Sequence, residues 1–333
     1  MQVAQQFSLT QRLRRNRLTP AIRALIQETH LHPSHFVAPL FVQEGKNEKT
    51  AIGSMPDVFR LSIDEILKEV RELSSLAIKS VNLFCYVPAS CRDERGSEAI
   101  RKNNLLQRAI DAIKQEFPDI CVMADIALDP FTSHGHDGVI NEAGYVLNDE
   151  TVEILAEMSL RAAEAGADIV SPSDMMDGRV KVIREMLDSC GYTNVSILAY
   201  SAKYASSLYG PFRDILDSSP KIGDKKNYQL SPSNIREALL ECRVDEEEGA
   251  DLLLVKPALT NLDVIAALRK NSLLPIGAYQ VSGEWAMIKA ASQNGWIDEN
   301  KVLLETLTCI RRAGADFIFT YGAKQASRLL STS

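Results

Sequence analysis

Two lysines stand where an alternating α/β chain would place its chemistry. Lys256 ends the apolar run Leu252–Val255 in "DLLLVKPAL" (251–259), and Pro257 stops the run. A short apolar run bounded by a turn signal reads as a buried parallel strand. Lys203 closes "AYSAK" (199–203), three residues beyond a strand predicted over 195–200. One lysine at a strand end serves as an ion-pair partner or phosphate anchor. Two on neighbouring strands repel each other in a partly desolvated site, and the neutral amine is favoured. A drop of roughly three pH units from the reference near 10.4, about 4 kcal/mol, leaves that amine neutral at pH 7. A neutral lysine attacks a carbonyl and forms a Schiff base.

The elements that must position these lysines announce themselves by repetition. "EAGADIV" (164–170), "EEGADLLL" (247–254) and "RAGADFIF" (312–319) share a helix end, Gly-Ala-Asp and an apolar strand. Glycine takes the left-handed conformation that closes a helix, so this is a short αβ loop. The template predicts eight strands, at 36–42, 79–86, 119–125, 168–172, 195–200, 251–256, 275–281 and 316–321. Helices are expected over 62–76, with a Ser62-x-x-Glu65 capping box, and over 149–165 and 234–248, capped by Asn148 and Ser233. Others fall at 178–190, 284–294, 298–313 and from Lys324 onward. The pattern fits a (β/α)₈ TIM barrel over 31–333 with an N-terminal extended arm over 1–30. An open doubly wound sheet is the alternative, but no strand precedes GxGxxG. The basic "RLRRNR" (12–17) is either a solvated arm or one that docks on another subunit. Residues 204–232, rich in Ser, Pro, Gly and charge, read as an active-site lid or as disorder.

Composition narrows the function class. The chain has 333 residues, 45% hydrophobic and 24% charged, with net charge −7, which speaks against nucleic-acid binding. No apolar stretch reaches about 18 residues, so no membrane helix is expected. No signal peptide is visible, and the six cysteines are scattered without a CxxC pair. A reduced, cytoplasmic protein is the expectation.

In a TIM barrel the site forms at the C-terminal strand ends. Those ends carry Asp125, Ser173 with Asp174, Lys203, Lys256, Ser282 with Glu284, and Tyr321. Arg213, Lys225 and Lys226 in the lid segment could hold a carboxylate. The stretch "DIALDPFTSHGHDG" (125–138) crowds Asp125, Asp129, Asp137, His134 and His136 together. It reads equally as a metal site or as a polar loop. Its ligand types do not make a thiolate zinc site.

Several motifs in order resemble the porphobilinogen synthases, also called 5-aminolevulinate dehydratases. They are "MADIALDPFTSHGHDG", "SPSDMMDGR", "AYSAKYASSLYGPFRD", "GDKKNYQL", "LLLVKPAL", "YQVSGEWAM" and "FTYGAKQ". The resemblance implies a TIM barrel whose arm wraps a neighbouring subunit, commonly in homo-octamers. It implies condensation of two 5-aminolevulinate molecules per site to porphobilinogen, in tetrapyrrole synthesis, with no organic cofactor. Lys203 and Lys256 match the two Schiff-base lysines, Lys256 for the propionate-side substrate and Lys203 for the acetate-side one. Arg213, Lys225 and Gln229 would grip the carboxylate of the latter, and Ser282 and Tyr321 that of the former. Asp125 and Ser173 would orient reacting groups. Zinc-dependent members carry cysteines where this chain has Ala127, Asp129 and Asp137, so zinc is not expected. The resemblance is to the branch that responds to an allosteric Mg²⁺, with Glu241 at the anchoring position. A class I aldolase would explain one lysine but not two plus a cationic lid. A catalytically silent barrel would have lost a lysine or Tyr321.

Overall fold

Every apolar run marked out above forms a strand, and a hairpin joins them. In chain order the strands are β1 (Phe36–Val42), β2 (Lys49–Ile52), β3 (Met55–Leu61), β4 (Ser80–Cys85), β5 (Cys121–Ile126), β6 (Ile169–Pro172), β7 (Ser196–Lys203), β8 (Leu252–Lys256), β9 (Ile276–Tyr279) and β10 (Phe317–Phe319). β1 and β4 to β10 are parallel neighbours in that order. β10 returns to β1 through Phe36–Ile318 and Val37–Phe319, which closes the barrel and excludes the open sheet. Because both faces are covered, β1 and β6 are buried along their whole length.

This computed structural model describes residues 10–331. The chain divides into two units, Met1–His30 and Leu31–Ser333. In the first, a 3₁₀ turn (Leu13–Arg17) precedes α1 (Pro20–Leu25), where the Thr19 hydroxyl accepts from the Ile22 amide at 3.2 Å. The second carries α2 (Ile63–Ser75), α3 (Leu105–Glu116), α4 (Asn148–Glu164), α5 (Arg179–Ser189), α6 (Gly210–Leu216), α7 (Arg236–Glu247), α8 (Leu262–Asn271), α9 (Ser282–Gln293), α10 (Glu299–Ala313) and α11 (Ala323–Ser331).

Three expected caps are not formed. The Ser62 hydroxyl accepts from the Glu48 amide (2.9 Å) and donates to the Asp64 carboxylate (2.7 Å), so it accepts from no first-turn amide of α2. Asn148 is the first residue of α4, and its side chain pairs with the Asp177 backbone instead. α7 starts at Arg236 after Ile235, leaving Ser233 outside it. The β2–β3 hairpin was not expected, because "MPDVFRL" carries a proline and mixed polarity; β3 adds to β1 at Phe41–Arg60.

The Gly-Ala-Asp repeat has one structural meaning at all three sites. Gly166, Gly249 and Gly314 have φ of 97°, 106° and 125°, turning the chain out of α4, α7 and α10. Ala167, Ala250 and Ala315 are buried. Each aspartate then joins the barrel floor twice. The amides of Asp168, Asp251 and Asp316 donate to the carbonyls of Val122, Ile197 and Ile276. Their carboxylates accept in return from the amides of Val122, Ile197 and Ile276, each at 2.8 Å. The repeat therefore locks the N-terminal strand ends in register, away from the chemistry. Asp251→Ala would leave the Ile197 amide unpartnered at a cost of about 1–3 kcal/mol. A lower Tm with unchanged KM is the expected result, checked by thermal denaturation alongside steady-state kinetics.

Candidate active site

A bulge puts the two lysines on one face. β7 and β8 pair as Leu198–Leu252 and Ala199–Leu253, then as Ala202–Val255 and Lys203–Lys256. The register slips by one residue between Ala199 and Ala202. Side chains alternate across a strand, so without the slip Lys203 would face away from Lys256. The strand also continues to Lys203, three residues past the predicted end.

Asp125, Asp129, Asp137, Ser173, Lys203, Arg213, Lys225, Gln229 and Lys256 line one cavity with Phe84, Tyr209 and Phe212. Lys203 donates to Asp137 Oδ2 at 3.1 Å and to the Ser173 carbonyl. Lys225 donates to Asp137 Oδ1 at 2.6 Å and lies 3.6 Å from Asp129. One carboxylate thus bridges two ammonium groups. Burial opposes its charge, but Lys203 and Lys225 outweigh burial and hold the Asp137 carboxyl well below the usual range. For Lys225 likewise, burial is overcome by Asp129 and Asp137, and its pKa rises. The space between Asp129 and Asp137, read from the sequence as a metal site or a polar loop, is reached here by the Lys225 ammonium.

Lys256 has a different environment. Its ammonium stands over the rings of Tyr279 (4.5 Å), Phe212 (5.0 Å), Tyr200 (5.2 Å) and Tyr209 (5.3 Å). Such faces attract a cation weakly and supply no proton acceptor comparable to a carboxylate. Burial, then the nearby Lys203 charge, bring its pKa down to about 7. Asp125 is pushed up, by burial and by Asp129. The four rings were missed in the sequence; Tyr200 and Tyr279 lie on β7 and β9, flanking Lys256, and that placement was the available signal.

The lid is ordered. A bridge between Tyr204 and Leu230 pins its two ends, and α6 carries Arg213 over the cavity. The cavity is small, about 30 Å³. Ser282 and Tyr321 lie outside this lining. The Ser282 hydroxyl donates to the Leu208 carbonyl (3.2 Å) and accepts from the Phe212 amide (3.0 Å). The Tyr321 hydroxyl is 3.1 Å from that of Tyr279. Glu284 accepts from the amides of Val281 (2.5 Å) and Leu259 (2.7 Å), and burial lifts its pKa to about 7.

Glu241 faces a second cavity, of about 250 Å³, with Asn148, Asp177, Glu237 and the lid residues 226–230. Glu241 thus shares a cavity with part of the 204–232 segment. Burial, then Asp245, Asp177 and Glu237, raise its pKa against the pull of Arg179. Among the described residues no three His, Cys, Asp or Glu side chains are grouped to hold a metal ion.

Residues 10–329 match the family described as delta-aminolevulinic acid dehydratase. The chain belongs to the delta-aminolevulinic acid dehydratase family. A chloroplastic dehydratase of Glycine max is 53% identical over 98% of this chain and 80% of its own length. One from Oryza sativa subsp. japonica is 54% identical over 97% of this chain and 76% of its own. Among solved structures, the dehydratase of Toxoplasma gondii, in complex with the reaction product porphobilinogen, superposes with a TM-score of 0.95 at 51% identity. It is covered over 92% of its length, against 97% of this chain. The cytoplasmic expectation is corrected by these dehydratases: relatives from Glycine max, Oryza sativa, Arabidopsis thaliana and Selaginella martensii are all named chloroplastic. Scattered cysteines indicate a reducing compartment but do not distinguish one from another.

The unequal lysines of this dehydratase have a measurable consequence. A depressed amine gains its nucleophilic form as pH rises through its pKa. Acylation of Lys256 by a small reagent, followed by mass spectrometry, should therefore show a midpoint near 7. Lys203→Met removes a neighbouring positive charge and should move that midpoint upward. A wild-type midpoint near the lysine reference of about 10.4 would contradict the described cavity.

Proposed function

We propose that this chain is a lyase that condenses two molecules of 5-aminolevulinate to porphobilinogen with loss of two waters, through Schiff bases on Lys256 and Lys203. Support comes from family membership and from one observation: two lysines in direct cross-strand register at one cavity, one bonded to a carboxylate and the other set among aromatic rings. Lys256, whose free amine is accessible near neutral pH because burial and Lys203 disfavour its charge, attacks the ketone carbon of one substrate; the carbonyl oxygen leaves as water. Its aromatic surround keeps bulk water from the imine carbon. Asp125, whose protonated form is favoured by burial, is suited to proton transfer in that step. Lys203 takes the second substrate once it has given up its proton.

The carboxylate of the Lys203 substrate is assigned to Arg213, Lys225 and Gln229. Arg213 makes no side-chain hydrogen bond or ion pair among the described residues, and Gln229 Oε1 is buried without a partner. Both are thus available. Ser282 and Tyr321 are assigned to the other carboxylate, for which Ser282 must exchange its lid contacts. The scheme uses no organic cofactor. We assign residues 1–30 as an arm that docks on another copy, in a homo-octamer, since Leu13, Leu18 and Leu25 are exposed on it. Residues 31–333 then form the catalytic barrel, with 204–232 as its lid.

The donor set at Glu241 fits a metal that keeps most of its waters. Mg²⁺ takes one or two carboxylates and oxygen donors, and Glu241 offers a half-buried carboxylate beside Asp177 and Glu237. Bound there, Mg²⁺ would supply positive charge to an acidic cavity whose wall includes Lys226 to Leu230.

Two experiments test this reading. Borohydride added with 5-aminolevulinate should fix adducts on Lys256 and Lys203, mapped by mass spectrometry. Lys256→Ala should abolish turnover and Lys203→Ala should lower it by at least about a hundredfold; activity of either within tenfold of wild type would reject the two-lysine mechanism. After exhaustive chelation, Mg²⁺ titration should give saturable stimulation that Glu241→Ala removes while basal activity persists. Stoichiometric zinc in active enzyme, or an unaltered Mg²⁺ response in Glu241→Ala, would refute the metal assignment.

A further inference from the structure

The motif "TSHGHDG" (132–138) offers two histidines that the chemistry above does not use. Their surroundings are lid, not metal. Gly135 has φ of 76°, and a Cβ there would sit 2.5 Å from the Ser219 carbonyl oxygen, so the lid backbone passes directly over it. The Lys221 amide donates to the His134 carbonyl at 3.0 Å. His136 is fully buried. Its Nε2 is 2.7 Å from the Ile222 carbonyl, and its Nδ1 is 3.2 Å from the Tyr228 hydroxyl. A carbonyl only accepts, so Nε2 carries the hydrogen, and Nδ1 accepts from Tyr228. The Tyr228 oxygen in turn faces the Asp137 amide at 3.4 Å. The Thr132 hydroxyl donates to the His136 carbonyl at 3.0 Å, fixing the loop that bears the ring.

One imidazole thus grips both ends of the lid turn 222–228. Between those ends stands Lys225, 2.6 Å from Asp137, and just beyond them stands Gln229. We propose that His136, acting with Tyr228, is a positioning residue that clasps this turn and so sets Lys225 and Gln229 over the substrate cavity. This rests on the reading of 204–232 as a substrate lid. A ring with two opposed nitrogens suits the task, because a single flexible amide could not reach both partners.

The test combines kinetics with hydrogen exchange on the full-length chain. Tyr228→Phe removes one hydroxyl and little else; His136→Ala removes the clasp; His136→Gln retains a donor for the Ile222 carbonyl. Tyr228→Phe should raise KM for 5-aminolevulinate by about three- to tenfold, as expected for loss of a buried hydrogen bond. kcat should change less than KM, since both lysines sit on strands. His136→Ala should exceed that effect, and His136→Gln should recover part of it. The amides of Lys221 and Gln229 should exchange faster in each variant, while those of β8 keep their rate. Unchanged lid exchange and KM in Tyr228→Phe would overturn the proposal, even if His136→Ala fails to fold. Equal acceleration in β8 would overturn it too, because that marks global loosening. A wild-type chain that makes no porphobilinogen would instead reject the function, and the exchange data would still judge the clasp.

Discussion

The site depends on a single carboxylate placed between two ammonium groups. Asp137 accepts from Lys203 on one oxygen and from Lys225 on the other. A buried carboxylate is stable only when paired, and this one is paired twice, so its charge is secure. Its presence makes the lysines unequal. Lys203 has a carboxylate and a carbonyl to hold its proton; Lys256 has aromatic faces and a cationic neighbour. The same cavity therefore contains one amine hydrogen-bonded to a carboxylate and one whose charged form is disfavoured, at two strand positions that would otherwise look alike. Placing them together takes the bulge in β7, and Lys225 reaches Asp137 from the 204–232 segment.

The charge balance follows from that arrangement. Asp129 and Asp137 face Lys225 and Lys203, two against two. Asp125 and Lys256 form the remaining couple, with Asp125 pushed up and Lys256 pushed down. Whether the proton resides on the amine or on the carboxyl, the cavity has the same net charge. Lys256 can therefore become a free amine without creating an uncompensated charge in a low-dielectric space. Arg213 is then left as surplus positive charge, a natural partner for an incoming carboxylate. The basic residues of the 204–232 segment, read from the sequence as a carboxylate grip, differ: Lys225 already pairs with aspartates, while Arg213 has no ion-pair partner among the described residues.

The barrel was legible because its signals are local. Apolar runs after Gly-Ala-Asp define strands whatever their partners, and the repeat recurs because each copy solves the same problem of pinning a strand start to its neighbour. The strand-end residues were legible for the same reason. The misses share a different cause. Ser62 looked like a cap because its spacing to Glu65 is right, but its hydroxyl accepts from the Glu48 amide, distant in sequence. The face of Lys203 depended on a register slip that no single-strand pattern contains. The rings around Lys256 come from β7, α6, β9 and the turn before α6, each unremarkable alone. Compartment was misjudged because thiol content separates oxidising from reducing environments and nothing finer.

The two ends of the barrel carry aspartates of the same type in opposite roles, and their partners explain the difference. At the N-terminal ends, Asp168, Asp251 and Asp316 accept from backbone amides that have no alternative state, so they fix geometry. At the C-terminal ends, Asp125, Asp129 and Asp137 line a cavity with lysine side chains rather than strand amides. Lys225, which pairs with Asp137, comes from the 204–232 segment and not from a barrel strand. Asp129 and Asp137 therefore take one counter-charge from a connection outside the barrel, whereas the N-terminal aspartates take their amide partners from the strands themselves. The same residue type fixes the register at one end of the barrel and ties a loop to the cavity at the other.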